Sequence, residues 1–318
     1  MSPNPVPEEK PALLRGKMHY LLAYDASEHA QAAIQLLLDL PCSCSIPPEH
    51  CSVTLMCVLP TQWIEVHELM QASLNRERQR LTEAGMQVET KLIAGTPAAT
   101  LNDQAKEMQA DLILIGAKGL RATLGILLGG VAQQVVEYST CPALIVRAPY
   151  RGLKRILLAT DGSVQSQKAL DYLTPPCPDG SRRRCTWLPP EVEVSLIHVL
   201  PPPIPNEIAT PAWALGPEVL YPMPIAPVDK DAIEAEEQLR GERLLDEYQQ
   251  TLKLAQLRTS RILTRGDAAT VILQTIQENA IDLVVCGSRG LSAVSGWLLG
   301  SLSRKLVHYA GCSVLIVK

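Results

Sequence analysis

Apolar residues fall into short runs separated by helix-length stretches, and this alternation repeats through both halves of the chain. Runs such as Leu112-Ile113-Leu114-Ile115 are apolar throughout, as expected of strands covered by helices on both faces. In the first half the pattern predicts strands at 19–24, 52–58, 88–93, 112–115 and 143–147, with helices at 27–39, about 62–84, 97–108 and 129–138. In the second half it predicts strands at 155–160, 192–199, 258–264, 283–286 and 313–317, with helices at 163–173, about 229–254, 268–278 and 300–309. Alternation of this kind makes βαβ units and a parallel sheet. Asp25 with Ser27, and Asp161 with Ser163, stand where helix N-caps are needed.

The two halves repeat one another. Gly116-Ala117-Lys118-Gly119 is followed after nine residues by Gly129-Gly130, and Gly287-Ser288-Arg289-Gly290 after nine by Gly300-Ser301. Each glycine set follows an apolar run that opens with Asp111 or Asp282 and precedes a final run, Ala143 to Val146 or Val314 to Val317. Ile156 to Asp161 matches Tyr20 to Asp25, and Cys312 matches Cys141. Self-similarity on this scale marks a tandem pair. The predicted organisation is a disordered tail at 1–16, a first domain at 17–148, a linker at 149–154 and a second domain at 155–318. The second domain carries a proline-rich insertion at 200–228 on the ligand side of its sheet, a lid or an exposed semi-rigid loop.

Length agrees, since 318 residues suggest about two domains of roughly 150 each. A net charge of −4 argues against a nucleic-acid partner, and the only basic cluster, Arg182-Arg183-Arg184, is too small for a binding face. No apolar stretch is long enough for a membrane span and no signal-peptide pattern opens the chain, so a cytoplasmic protein is expected. The cysteines lack Cys-x-x-Cys or ordered histidine spacing, so no metal site is expected. In a cytosolic chain they should be reduced and unpaired.

The glycine loops carry the candidate chemistry. A glycine loop leaving a buried strand lets backbone approach a ligand, and the second glycine pair opens a helix whose free N–H groups suit an anion. The bland alternative is a pair of tight turns without a ligand. The Asp-ended strand, the Gly-x-x-Gly-x9-Gly-Ser spacing and the Cys-containing turn into Leu-Ile-Val together resemble the universal stress protein family, from about 17 to 318. The resemblance implies an α/β, Rossmann-like fold of two open five-stranded parallel sheets, akin to the adenine nucleotide alpha hydrolases. It further implies ATP lying across the carboxyl ends of the strands, with ADP or AMP left open; Asp161 could hold Mg²⁺ with the phosphates, or equally serve as a cap or ribose contact. On that basis Thr160 and Asp161 would contact the adenosine part and Val199 would line the base pocket. Gly287 and Gly290 would shape the loop, Arg289 would add charge, and Gly300, Ser301 and Ser303 would hold phosphates. Asp25, Val58, Gly116, Gly119, Gly129 and Gly130 occupy the matching places in the first domain. There Gly130 replaces the serine and Gln133 stands where Arg304 does, so a weaker or empty first site is expected.

The leading functional reading is a nucleotide-binding stress-response or regulatory protein. The alternatives are a slow ATPase or nucleotidyl-transfer enzyme, and an interaction module that binds no nucleotide. No activated nucleophile is visible: His198 lies in a predicted strand and His308 on a helix without an evident partner. Flavodoxin-like binding would require loops rich in aromatic and hydroxyl groups, which these are not. The terminal strands Leu144-Ile145-Val146 and Leu315-Ile316-Val317 would be exposed apolar edges, which the two halves can satisfy by pairing with each other. A further homodimer is left open.

Overall fold

A computed structural model describes residues 18–40, 51–60, 66–119, 127–177, 183–203, 229–291 and 299–318. The tail at 1–16 and most of the proline-rich insertion, 204–228, lie outside the described residues. The first half runs β1 (Met18–Ala23), α1 (Glu28–Asp39), β2 (Cys51–Leu59), α2 (His67–Glu83), β3 (Gln87–Ala94), α3 (Pro97–Glu107), β4 (Leu112–Gly116), α4 (Gly130–Tyr138) and β5 (Ala143–Val146). The second runs β6 (Arg155–Ala159), α5 (Val164–Leu173), β7 (Glu193–Leu200), α6 (Lys230–Leu254), β8 (Arg258–Arg265), α7 (Ala268–Glu278), β9 (Leu283–Gly287), α8 (Ser301–Tyr309) and β10 (Ser313–Val317). These are the elements that the hydrophobic pattern predicts.

The strands form one ten-stranded sheet in the order β3-β2-β1-β4-β5-β10-β9-β6-β7-β8. Every pairing is parallel except β5 with β10, where Leu144 faces Leu315 and Ile145 faces Val314 in an antiparallel register. The two five-stranded halves are thus fused into a single sheet, and the predicted apolar edges are its centre. Side chains of the seam strands are almost wholly excluded from solvent, and each such Leu, Ile or Val contributes about 1.5–3 kcal/mol.

Alternation along the strands divides the core into two layers that each run through both halves. Leu22, Leu144, Leu158 and Leu315 belong to the layer packed under α1, α2, α5 and α6. Leu21, Ile145, Leu157 and Ile316 belong to the layer under α3, α4, α7 and α8. Within each half the chain winds outward in both directions from the β1–β4 or β6–β9 boundary. That switch point, at the carboxyl ends of the strands, is where open α/β sheets leave a crevice. Within the linker, the Ala148–Pro149 bond is cis and Gly152 has φ +91°.

The thiol expectation is corrected at one place. Cys177 and Cys185 are joined by a disulfide with Cα atoms 5.3 Å apart. A short antiparallel bridge between Pro176 and Arg184 sets the two residues opposite one another, so local backbone geometry, not compartment, brings them into range. Among the described residues Cys57, Cys141, Cys286 and Cys312 are free thiols, while Cys42 and Cys44 lie outside the described residues. No helix among the described residues is long and apolar enough to cross a membrane.

Candidate functional site

Both switch points hold a cleft. In the second half β6 ends at Ala159 and the chain turns through Thr160-Asp161-Gly162 into α5, whose N-cap Ser163 accepts the N–H of Ser166 at 3.2 Å. Gly162 makes the turn with φ +76°. Asp161 fastens the turn to the loop after β9. Its Oδ1 accepts the Ser163 N–H at 3.0 Å and its Oδ2 accepts the Leu291 N–H at 2.9 Å. A side chain at Gly290 would drive its Cβ into Asp161 Oδ2, so it could be accommodated only by displacing the carboxylate. Gly287 lacks a side chain for another reason: a Cβ would stand 2.6 Å from the backbone of Gln165 in α5.

The opposite wall is the start of α8. Gly300 is its N-cap and makes no side-chain cap bond; its own N–H donates to the Ser288 carbonyl at 2.8 Å. The N–H groups of the first helical turn have no intrahelical acceptor and carry the positive end of the helix dipole, an arrangement suited to phosphate. Ser301 presents an exposed hydroxyl. Ser303 is buried and its hydroxyl donates to the Gly287 carbonyl at 2.8 Å, which ties α8 to the end of β9. The hydroxyl that faces solvent at this helix end is therefore that of Ser301. Arg289 and Arg304 also line the cleft, which has a volume of about 390 Å³.

The cleft floor is largely apolar, with Ala159, Ile197 and Val199 from the sheet and Ala268 and Ile272 from α7. Thr160 is buried, and its carbonyl accepts from His198 Nδ1 at 2.8 Å. This fixes His198 as a structural donor on β7. Burial pushes the Cys286 thiol up to about 12, so it is protonated and unreactive at neutral pH. Among the described residues no group of three or more His, Cys, Asp or Glu is placed to hold a metal ion. With both oxygens of Asp161 engaged by backbone N–H groups, that carboxylate anchors the loop.

The first cleft repeats the plan with different chemistry. Asp25 Oδ1 accepts the Ser27 N–H at 3.0 Å, and Gly119 lies against Asp25 Oδ2 as Gly290 lies against Asp161. Gly116 packs on α1 as Gly287 packs on α5. Gly129 caps α4 without a side-chain bond, and Gly130 follows with no hydroxyl. Val58 lines the floor of this cleft, whose volume is about 450 Å³. Burial, then the nearby Asp25 charge, pushes the Cys57 thiol up to about 12.

The structure gathers Thr160, Asp161, Val199, Gly287, Arg289, Gly290, Gly300, Ser301 and Ser303 around the second cleft. It gathers Asp25, Val58, Gly116, Gly119, Gly129 and Gly130 around the first. Sequence reasoning missed Ser166, whose hydroxyl meets Thr160 Oγ1 at 3.2 Å and Tyr248 Oη at 3.1 Å. A serine in the first turn of a helix carries no signal that a tyrosine far along the chain will reach it. It also missed the apolar walls supplied by α2 and α3, which depend on how those helices pack.

Comparison with known proteins places the chain and its fold. The universal stress protein family profile matches the chain twice, over residues 18–147 and 152–318. A universal stress protein of Mycolicibacterium smegmatis is 26% identical over 238 residues, covering 74% of this chain and 70% of that protein. One from Methanocaldococcus jannaschii is 33% identical over 91 residues, so the match spans 27% of this chain and 54% of that relative. Among solved structures, a universal stress protein from Archaeoglobus fulgidus superimposes with a TM-score of 0.59 at 18% identity, covering 94% of this chain and 98% of its own. One from Pseudomonas aeruginosa gives 0.64 at 15% identity, with coverage of 96% and 94%. At those identities the superpositions speak for the fold.

Proposed function

Because the chain belongs to the universal stress protein family through both of its halves, we propose that its second cleft binds an adenine nucleotide, ATP foremost and ADP or AMP as alternatives. In this reading the protein acts as a regulatory nucleotide-binding protein of the stress response. The observation that carries it is the convergence of Arg289, the Ser301 hydroxyl and the uncapped start of α8 on one cleft with an apolar floor. Phosphates would lie against α8 and the two arginines, and the base against Val199 and Ile197. Charge-assisted hydrogen bonds are the strong ones. Thr160 and Asp161 would border the sugar. Mg²⁺ would arrive on the phosphates, since both Asp161 oxygens are already taken by backbone donors.

Binding is the activity that these groups support. The cleft thiol of Cys286 is held protonated, and His198 is engaged with the Thr160 carbonyl. The first cleft lacks the Ser301 hydroxyl. One lost hydrogen bond to a charged group costs about 1.5–3 kcal/mol, roughly ten- to hundredfold in affinity.

The test is the nucleotide content of freshly purified protein, released by denaturation and separated by anion exchange, with Ser301→Asp as the comparison. Aspartate at the first position of a helix is well tolerated, so this variant should fold while its carboxylate repels phosphate. About one equivalent of adenine nucleotide in the wild type, lost in the variant, is the expected result. No nucleotide in the wild type and no uptake of added ATP would sink the reading and favour an interaction module.

A further inference from the structure

The two clefts share a backbone plan but differ in what lines them. We propose that the first cleft is a site for an apolar small molecule carrying one negative charge, such as an aliphatic or aromatic carboxylate. It would then be a receptor of a different kind from the second cleft.

Where the second cleft offers the Ser301 hydroxyl and the Arg304 guanidinium, the first offers neither. Gly130 stands for Ser301, and Gln133, which stands for Arg304, is uncharged and not among the residues that line the first cleft. Tyr24 stands for Thr160, and its hydroxyl is already engaged by Ser73 Oγ at 2.8 Å and Gln31 Nε2 at 2.7 Å. Cys57 adds a neutral thiol. In exchange the first cleft gains Val66 and Met70 from the α2 side, a wall that has no counterpart among the described residues lining the second. Leu101 and Leu128 extend that apolar surface. The resulting space of about 450 Å³ falls within the range of small-molecule sites.

The charges set the ligand's polarity. Among the described lining residues Lys118 is the one cation and Asp25 the one anion. Asp25 faces the loop, with Oδ1 on the Ser27 N–H and Oδ2 against Gly119. Lys118 and the uncapped first turn of α4 can therefore meet a single carboxylate. Among the described residues this is less positive charge than the second cleft offers a triphosphate, where two guanidinium groups and the Ser301 hydroxyl line the site. A mostly apolar wall with one cationic corner complements an amphipathic monoanion.

The experiment uses the full chain with excess ATP present, so that the second cleft is filled. 1-Anilinonaphthalene-8-sulfonate, an apolar monoanion, is titrated by fluorescence and then displaced by decanoate or by decanol. One equivalent of probe should bind, decanoate should displace it at least tenfold more effectively than decanol, and ATP should not displace it. Val131→Glu puts a carboxylate at the exposed rim in the first turn of α4, where a helix accepts it, and should weaken decanoate at least tenfold. Lys118→Gln should remove the preference of decanoate over decanol. Ser301→Asp should lose ATP and keep decanoate, which separates this proposal from the nucleotide reading. Displacement of the probe by ATP, two equivalents of ATP per chain, absence of decanoate binding, or an unchanged affinity in a folded Val131→Glu protein would each overturn it.

Discussion

Asp161 shows how much one carboxylate decides. It joins the end of β6 to the loop after β9 by accepting the N–H groups of Ser163 and Leu291, and in that position it lies where a side chain at 290 would have to go. Both roles are positional: the residue shapes the cleft by holding two backbone segments together. Gly290→Ala should press a methyl group on the Asp161 carboxylate and weaken the Leu291 bond. We expect a loss of about 1–3 kcal/mol in stability and at least a tenfold loss of ATP affinity. Urea unfolding and calorimetric titration measure the two, and an unchanged affinity would show that the staple does not shape the nucleotide site. The residue types at 161 and 290 can be read from the chain, whereas their contact, 129 positions apart, cannot.

At the scale of elements, two glycines that look alike in sequence differ in environment. Gly287 ends β9 under α5, where an added Cβ would stand 2.6 Å from the Gln165 backbone. Gly130 begins α4, and an added Cβ there meets nothing within 4 Å. Gly287→Ala should therefore force strand and helix apart at a cost of about 1–3 kcal/mol. Gly130→Ala should be neutral or stabilising by up to about 1 kcal/mol, because alanine loses less backbone entropy in a helix. Thermal unfolding of the pair decides it, and equal shifts would contradict the packing argument. Every predicted strand and helix is present in the described residues, because periodicity reports burial directly. The helix expected from about 62 is described from His67, and residues 62–65 lie outside the described residues.

For the whole molecule, the antiparallel β5–β10 seam turns a duplicated sequence into one continuous sheet. Two basic residues stitch it reciprocally. Arg147, which follows β5, donates to the Val307 carbonyl in α8 at 2.8 Å and to the Leu127 carbonyl beside the first cleft at 2.6 Å. Lys318, which follows β10, donates to the Val136 carbonyl in α4 at 2.6 Å. Burial holds the Lys318 ammonium down to about 8 from an ordinary 10.5. Between those values the unfolded chain binds more protons than the folded one, so this group's contribution to stability rises with pH across that window. Below it, burying the charge costs on the order of 3 kcal/mol. Buried thiols such as Cys312, raised to about 12, act in the opposite direction above their ordinary 9.0, so the useful quantity is a difference. The stability of Lys318→Met relative to wild type should fall as pH rises from about 8 to 10.5. A difference that does not change with pH would mean that the lysine is not buried in solution.

The sequence by itself determined the α/β class, the duplication, the order of elements and the places of the glycine loops. All of these follow from local periodicity, caps and repeats, which each segment carries within itself. Joining Leu144 to Leu315, setting Asp161 against Gly290 and turning the Tyr24 hydroxyl toward Ser73 were decided only by the tertiary structure. So was the pairing of Cys177 with Cys185, which composition argued against and a local bridge made geometrically close. The difference between the clefts has both origins: the missing hydroxyl at Gly130 is written in the chain, while the apolar wall of Val66 and Met70 exists only once α2 packs beside β2. Contacts between distant segments depend on the summed packing of the intervening elements, and no single segment encodes that sum.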